Sequence, residues 1–84
     1  MTEKTRELRK TLAEELLRRA AAAWEWHQKI RRERGDISEM RDAYDAFVRL
    51  LRPVYKHGFK KEVEDFLKKT DGTPVRAVLK RLAS

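Results

Sequence analysis

The sequence predicts an all-α fold, a compact bundle of about four helices with a long N-terminal helix. Three observations predict it. Apolar residues recur at intervals of three and four, the spacing of one helix face. Every glycine falls between two such segments, and helix-capping residues precede the second and the fourth segment. The 84 residues predict one domain.

The first helix is predicted over about residues 3–34, with Leu17 and Trp24 on one flank of its apolar face and Trp26 on the other. That face holds Leu8, Leu12, Leu16, Ala20, Ala23, His27 and Ile30. We expect helix 2 to cover the C-terminal part of this face and helices 3 and 4 to cover residues 8–17. Should they not, Leu8, Leu12 and Leu16 are free to bury against a second copy, so both a monomer and a homodimer through these three residues stay open.

The second helix is predicted over residues 37–56. Gly35, which precedes it, is expected to end helix 1 by taking the left-handed conformation. Asp36 is the expected N-cap, with Glu39 completing a capping box. Pro53 is expected to kink or end the helix. The expected buried positions are Met40, Ala43, Tyr44, Phe47, Leu51 and Val54.

The third and fourth helices are predicted over residues 59–69 and 74–83, and Gly58 and Gly72 mark the turns before them. Thr73 is the expected N-cap of helix 4, with Pro74 as its first helical residue. The expected buried positions are Phe59, Val63, Phe66, Leu67, Val75, Val78, Leu79 and Leu82.

The composition narrows the chemistry and the compartment. The chain has no cysteine, which excludes disulfides and thiolate metal sites. Small secreted domains often need disulfides, so we expect a cytoplasmic protein. If the chain is designed, no natural compartment applies. Residues 1–7 lack the apolar run of a signal peptide, and no apolar run approaches the ~20 residues that span a membrane.

His27 is the residue with the clearest potential for chemistry, because it lies near the middle of an apolar helix face. A pocket for a flat ligand or a haem is predicted around it, and His27 is the one weak catalytic candidate. The predicted pocket residues are Ala20, Ala23, Trp24, Trp26, His27 and Tyr44. The alternative is a core histidine that hydrogen-bonds across the bundle. His57 lies at a helix end, where the helix dipole favours a cation, and no metal site is predicted.

The positive charge is concentrated in the C-terminal half of the chain. Residues 1–48 carry 11 basic and 10 acidic side chains, whereas residues 49–84 carry 10 basic and 4 acidic ones. Cations interleaved with aromatic residues suit phosphates and bases, so a nucleic-acid interface is predicted. Its residues are Arg49, Arg52, Lys56, Lys60 and Lys61. The alternative is a solvated surface that keeps a small domain soluble, and a protein partner for the same basic half also stays open.

Three stretches resemble helical hairpins of known families. Trp24 to Gly35, followed by Asp36-Ile37-Ser38-Glu39, resembles a tetratricopeptide helix pair. Phe47 to Gly58, followed by Glu62-Val63 and Phe66-Leu67, resembles a pentatricopeptide pair. Glu25-Trp26 through Arg52 resembles the second hairpin of the rapamycin-binding domain of a large kinase. These resemblances imply antiparallel helix pairs, and no binding residue is carried over from them.

The chain also resembles a computationally designed helical bundle. Glycine occurs only at predicted helix ends, asparagine and cysteine are absent, and Glu, Lys, Arg, Ala and Leu are abundant. The predicted function is therefore a non-catalytic stable helical scaffold or a small interaction module. The alternatives are a basic nucleic-acid-binding module and a ligand or haem pocket around His27. Only the pocket around His27 could make the chain an enzyme.

Overall fold

The computed structural model describes residues 3–84, except for the side chain of Lys4, as four α-helices. They are α1 (Glu3–Arg32), α2 (Ile37–Lys56), α3 (Lys60–Lys69) and α4 (Val75–Ala83). This all-α bundle with a long first helix confirms the predicted fold class. The stretch predicted not to be a signal peptide includes Met1 and Thr2, which lie outside the described residues.

The core lies where α1, α2, α3 and α4 meet around Phe47, which is completely buried. The other buried members of this cluster are Ala13, Ala20, Trp24, Val48, Leu51, Val54, Val63, Leu67, Val78 and Leu82. In α2, α3 and α4 they lie at predicted buried positions, with Val48 added. The prediction is wrong for six other positions, which are only half-buried: Met40, Tyr44, Phe59, Phe66, Val75 and Leu79. Removal of this apolar surface from water is the main force that holds the helices together.

The expected cover of α1 is wrong at its N-terminal end. Leu8 and Leu12 are 64% and 61% exposed, whereas Leu16 is half-buried against the core. The reason is length, since α2 has 20 residues and α1 has 30. α3 starts beside Leu17 and ends near Trp24, so it runs away from Leu8 rather than toward it. Residues 3–12, called the overhang below, therefore extend beyond the bundle.

The turn between α1 and α2 closes by a different residue from the one predicted. Arg34, with φ of 54°, takes the left-handed conformation, and Gly35 does not. The Gly35 N–H donates to the Ile30 carbonyl at 2.8 Å, which makes Arg34 the left-handed residue of a Schellman motif. Gly35 is required for space, because a Cβ there would lie 2.6 Å from Ile30 Cγ2. Asp36 caps α2 as predicted, accepting a 2.9 Å bond from the Ser38 N–H.

The remaining two turns follow the prediction in part. Gly58 and Gly72 have φ of 98° and 75°, the left-handed conformation expected of them. Pro53 lies inside α2, which continues to Lys56, so the proline does not end the helix. The predicted N-cap of α4 is wrong, because Pro74 occupies that position and its carbonyl accepts from the Val78 N–H at 3.0 Å. The buried Thr73 hydroxyl has no hydrogen-bond partner.

Candidate functional site

An apolar groove lies between the N-terminal half of α1 and the end of α2. Leu12 and Leu16, one helical turn apart, form one side, and Pro53 and Val54 form the other. The full lining is Arg9, Leu12, Ala13, Leu16, Pro53, Val54, His57 and Phe59 around a volume of about 290 Å³. The groove exists because α2 ends beside Ala13 while α1 continues past it. We call it the α1–α2 groove.

Both charged and apolar side chains surround the α1–α2 groove. Arg9 and His57 belong to its lining, and Arg6 and Lys10 border the neighbouring depression on the other side of Ala13. That depression also contains the carboxylates of Glu14 and Glu62. The surroundings of the groove are thus more cationic than acidic, in line with the chain's net charge of +7.

The histidine that the sequence singled out stacks on a tryptophan. The rings of His27 and Trp24 are 4.7 Å apart between centroids and inclined by 14°. Tyr44 of α2 lies 6.0 Å from the His27 ring and 6.3 Å from that of Trp24. The Trp24 indole N–H donates to the Asp71 carbonyl at 3.0 Å, which fixes the indole against the α3–α4 turn. Three of the predicted pocket residues are therefore in contact.

His27 is held in its neutral form by its surroundings. Burial of the imidazole, and secondarily the positive charge of Arg31, lower its pKa below the ordinary 6.5. Its Nδ1 is buried without a hydrogen-bond partner, so the predicted alternative of a hydrogen bond across the core is not formed through that atom. Only Nε2 is left to contact a ligand, and it would do so from the shallow depression that His27 shares with Met40 and Tyr44.

The other predicted pocket residues do not line the depression that contains His27. Trp26 is 54% exposed and lines a different depression, where Lys29 Nζ lies 5.7 Å from its ring centroid. Ala20 is fully buried in the core, and Ala23 packs against it. The indole of Trp24 covers one face of the imidazole, the face on which a flat ligand would otherwise stack. The haem or ligand pocket at His27 stays a prediction.

All five predicted nucleic-acid contacts are exposed to solvent. Arg49 and Arg52 line one depression between α2 and α4, together with Asp45, Val48 and Arg81, around about 200 Å³. Lys56 follows one turn after Arg52 on the same face of α2. Lys60 lies 5.3 Å from the Tyr55 ring centroid, and Lys61 is exposed beside it on α3 without lining the depression.

Arg81 is the member of this surface that sequence reasoning missed. Its Nη2 lies 3.0 Å from Asp45 Oδ1, and its guanidinium carbon lies 5.2 Å from the Tyr44 ring centroid. Arg81 is 29 positions beyond Arg52 in the sequence, and only the crossing of α4 over α2 brings the two together. Arg49, Arg52 and Arg81 are called the arginine cluster below.

Within residues 3–84 no group of three or more histidines and carboxylates is placed to hold a metal ion. Among the four described helices, none combines the length and the apolar character needed to cross a bilayer.

The fold and these surfaces define the protein as a small all-α domain with an apolar groove and a separate cationic face. Comparison with known proteins adds no family to this description: no family model, no curated protein and no solved structure matches the chain.

Proposed function

We propose that this protein is a non-catalytic helical interaction module that binds an amphipathic helix of a partner protein in the α1–α2 groove. The observation that carries the proposal is the exposure of Leu12, 61%, in the wall of the groove, and of Leu8, 64%, one turn before it on the same helix. Contiguous exposed apolar surface on a small domain is typical of a binding site.

The shape of the groove suits a helix. Two antiparallel helices form its walls, and their apolar side chains offer contacts at one-turn intervals along Leu8, Leu12 and Leu16. An amphipathic helix presents its own anchors at intervals of three and four residues, so the two sets interdigitate. Because Arg9 lines the groove and Arg6 and Lys10 lie near it, the preferred partner helix carries acidic residues beside its anchors.

Magnitudes favour a separate partner over a second copy. A homodimer would cover four leucines that are each about 60% exposed, which is worth about 4–7 kcal/mol. A partner helix with three exposed anchors adds its own apolar surface to Leu8 and Leu12, for about 6–13 kcal/mol. Association costs at least about 4 kcal/mol in both cases, so a partner helix that is already folded in its own protein gains more than a second copy.

A model peptide tests the proposal. The probe is an amphipathic peptide of about 18 residues with leucines at i, i+4 and i+7 and glutamates beside them, titrated into ¹⁵N-labelled protein. We expect shift changes at Leu12, Leu16 and Val54, and affinity at least about ten-fold weaker in the double variant L8Q/L12Q. The matched control is W26Q/I37Q, which removes the other two large exposed apolar side chains of the described residues and is expected to bind normally.

Three results would contradict the proposal. Absence of shift changes at the groove would favour the scaffold interpretation, in which the chain has no partner. If both double variants weaken peptide binding equally, the peptide binds by nonspecific hydrophobic association and not in the groove. A chain that sediments as a dimer, and dissociates in L8Q/L12Q alone, would assign the surface to a second copy instead.

A further inference from the structure

The arginine cluster is a second surface, and it shares no residue with the α1–α2 groove. We propose that it binds the phosphates of a single-stranded nucleic acid. Arg49, Arg52 and Arg81 surround a depression of about 200 Å³ in which Asp45 is the one acidic side chain. Three guanidinium groups against one carboxylate leave a local surplus of two positive charges.

The cluster is partly organised before any ligand arrives. Asp45 holds Arg81 through a 3.0 Å ion pair, and the Tyr44 ring lies under the same guanidinium. A guanidinium group offers donors in a planar fork that matches two oxygens of a phosphate. Because Arg81 is already positioned, less side-chain entropy is lost when it binds a phosphate.

The cationic surface continues along α2 beyond the cluster. Arg49, Arg52 and Lys56 are separated by three and four residues, which correspond to rises of about 4.5 and 6 Å along the helix axis. A nucleic-acid strand in a duplex carries a phosphate about every 3.4 Å, and a flexible single strand adapts its spacing to the protein. The three side chains therefore contact neighbouring phosphates of one strand.

One aromatic ring favours a single strand over a duplex or a membrane surface. Tyr55 is half-buried, and the Lys60 ammonium lies over its ring at 5.3 Å from the centroid. When Lys60 turns to a phosphate, the face of Tyr55 that it covered can stack on a base of a single strand, whereas the bases of a duplex are already stacked on each other. A phospholipid headgroup supplies the phosphate and no base.

Salt-dependent binding tests the phosphate contacts. The probe is a fluorescein-labelled oligodeoxynucleotide of about 15 residues, followed by anisotropy between about 50 and 200 mM NaCl. Each phosphate contact contributes about 0.7 to the slope of log K against log salt for a single strand. R49Q/R52Q/R81Q is expected to lower that slope by about 2 and the affinity at about 50 mM salt roughly 10- to 100-fold.

A control with the same charge change separates the cluster from net charge. R32Q/K68Q/K69Q removes three exposed cations from α1 and α3, and it is expected to reduce affinity less than three-fold. Circular dichroism of both triple variants checks that the helices are retained. Equal losses in the two variants, or no binding of the oligonucleotide at about 50 mM salt, would overturn the proposal.

Further measurements distinguish a single strand from a duplex and from a phospholipid surface as the source of the phosphates. Y55L is expected to weaken the single strand while leaving its salt slope unchanged, because a stacking contact releases no counterion. A duplex of the same sequence is expected to bind more weakly and to be insensitive to Y55L. Tighter binding to vesicles of phosphatidylserine than to the oligonucleotide would overturn the assignment. Because L8Q/L12Q leaves the arginine cluster intact, failure of either proposal is recognised independently of the other.

Discussion

Replacement of single leucines by alanine will divide the chain into a core that stabilises the fold and an overhang that does not. Leu51 is completely buried, so Leu51→Ala is expected to cost about 2–5 kcal/mol through lost burial and the cavity left behind. Leu12 is 61% exposed and buries the remainder of its surface. At about 1.5–3 kcal/mol for a fully buried leucine, Leu12→Ala is expected to cost about 0.6–1.2 kcal/mol.

Urea unfolding followed by circular dichroism measures both losses under the same conditions. The slope of the free energy of unfolding against urea is expected to be equal in the two variants, because neither changes the surface exposed on unfolding by much. Measurements at two protein concentrations exclude a contribution from self-association. A loss at Leu12 as large as that at Leu51 would refute the reasoning, since it would place Leu12 inside a packed core.

Three further outcomes follow from individual side chains. Lowering the pH from about 7.5 to about 5.5 will reduce the free energy of unfolding, because His27 then takes up a proton more readily in the unfolded chain than in the folded one. Burial and the charge of Arg31 lower the pKa of His27 in the folded state. Urea unfolding at both pH values will show a smaller reduction for His27→Gln. Gly35→Ala will cost about 1–3 kcal/mol in thermal unfolding, since the new Cβ would meet Ile30 Cγ2, and a neutral effect would contradict the turn geometry. Amide hydrogen exchange will be slower around Phe47 than in the overhang, which is helical but lacks packing partners, and uniform protection along α1 would show that the overhang is packed.

The positions of the helices could be predicted from local signals. All four begin within one residue of the predicted starts and end within two residues of the predicted ends. Asp36, Gly58 and Gly72 act as predicted because a cap or a left-handed turn depends on a few neighbouring residues. The left-handed conformation predicted for Gly35 is wrong. Its contact with Ile30 is made across the turn, and the spacing of residues in the sequence does not indicate such a contact.

The extent of cover along α1 and the composition of the sites depend on longer-range geometry. Periodicity identifies the face that Leu8 and Leu12 share with Leu16, but it does not say in which direction α3 runs along α1. Trp24 and His27 are three residues apart, so the sequence places them side by side, but it does not predict that the two rings stack on each other. Arg81 joins Arg49 only through the crossing of α4 over α2, and no signal in the sequence reports that crossing.

The overhang can serve as a binding surface because it is a continuation of a packed helix. An isolated helix shorter than about 12–15 residues is marginal in water, since the first turn is costly to form. Residues 3–12 avoid that cost because α1 is already nucleated by the buried residues from Ala13 onward. The Thr11 hydroxyl adds a 2.9 Å bond to the Glu7 carbonyl within this segment. Leu8 and Leu12 are thereby held one turn apart before a partner arrives, whereas a disordered arm with the same leucines would lose about 1–2 kcal/mol per residue on ordering.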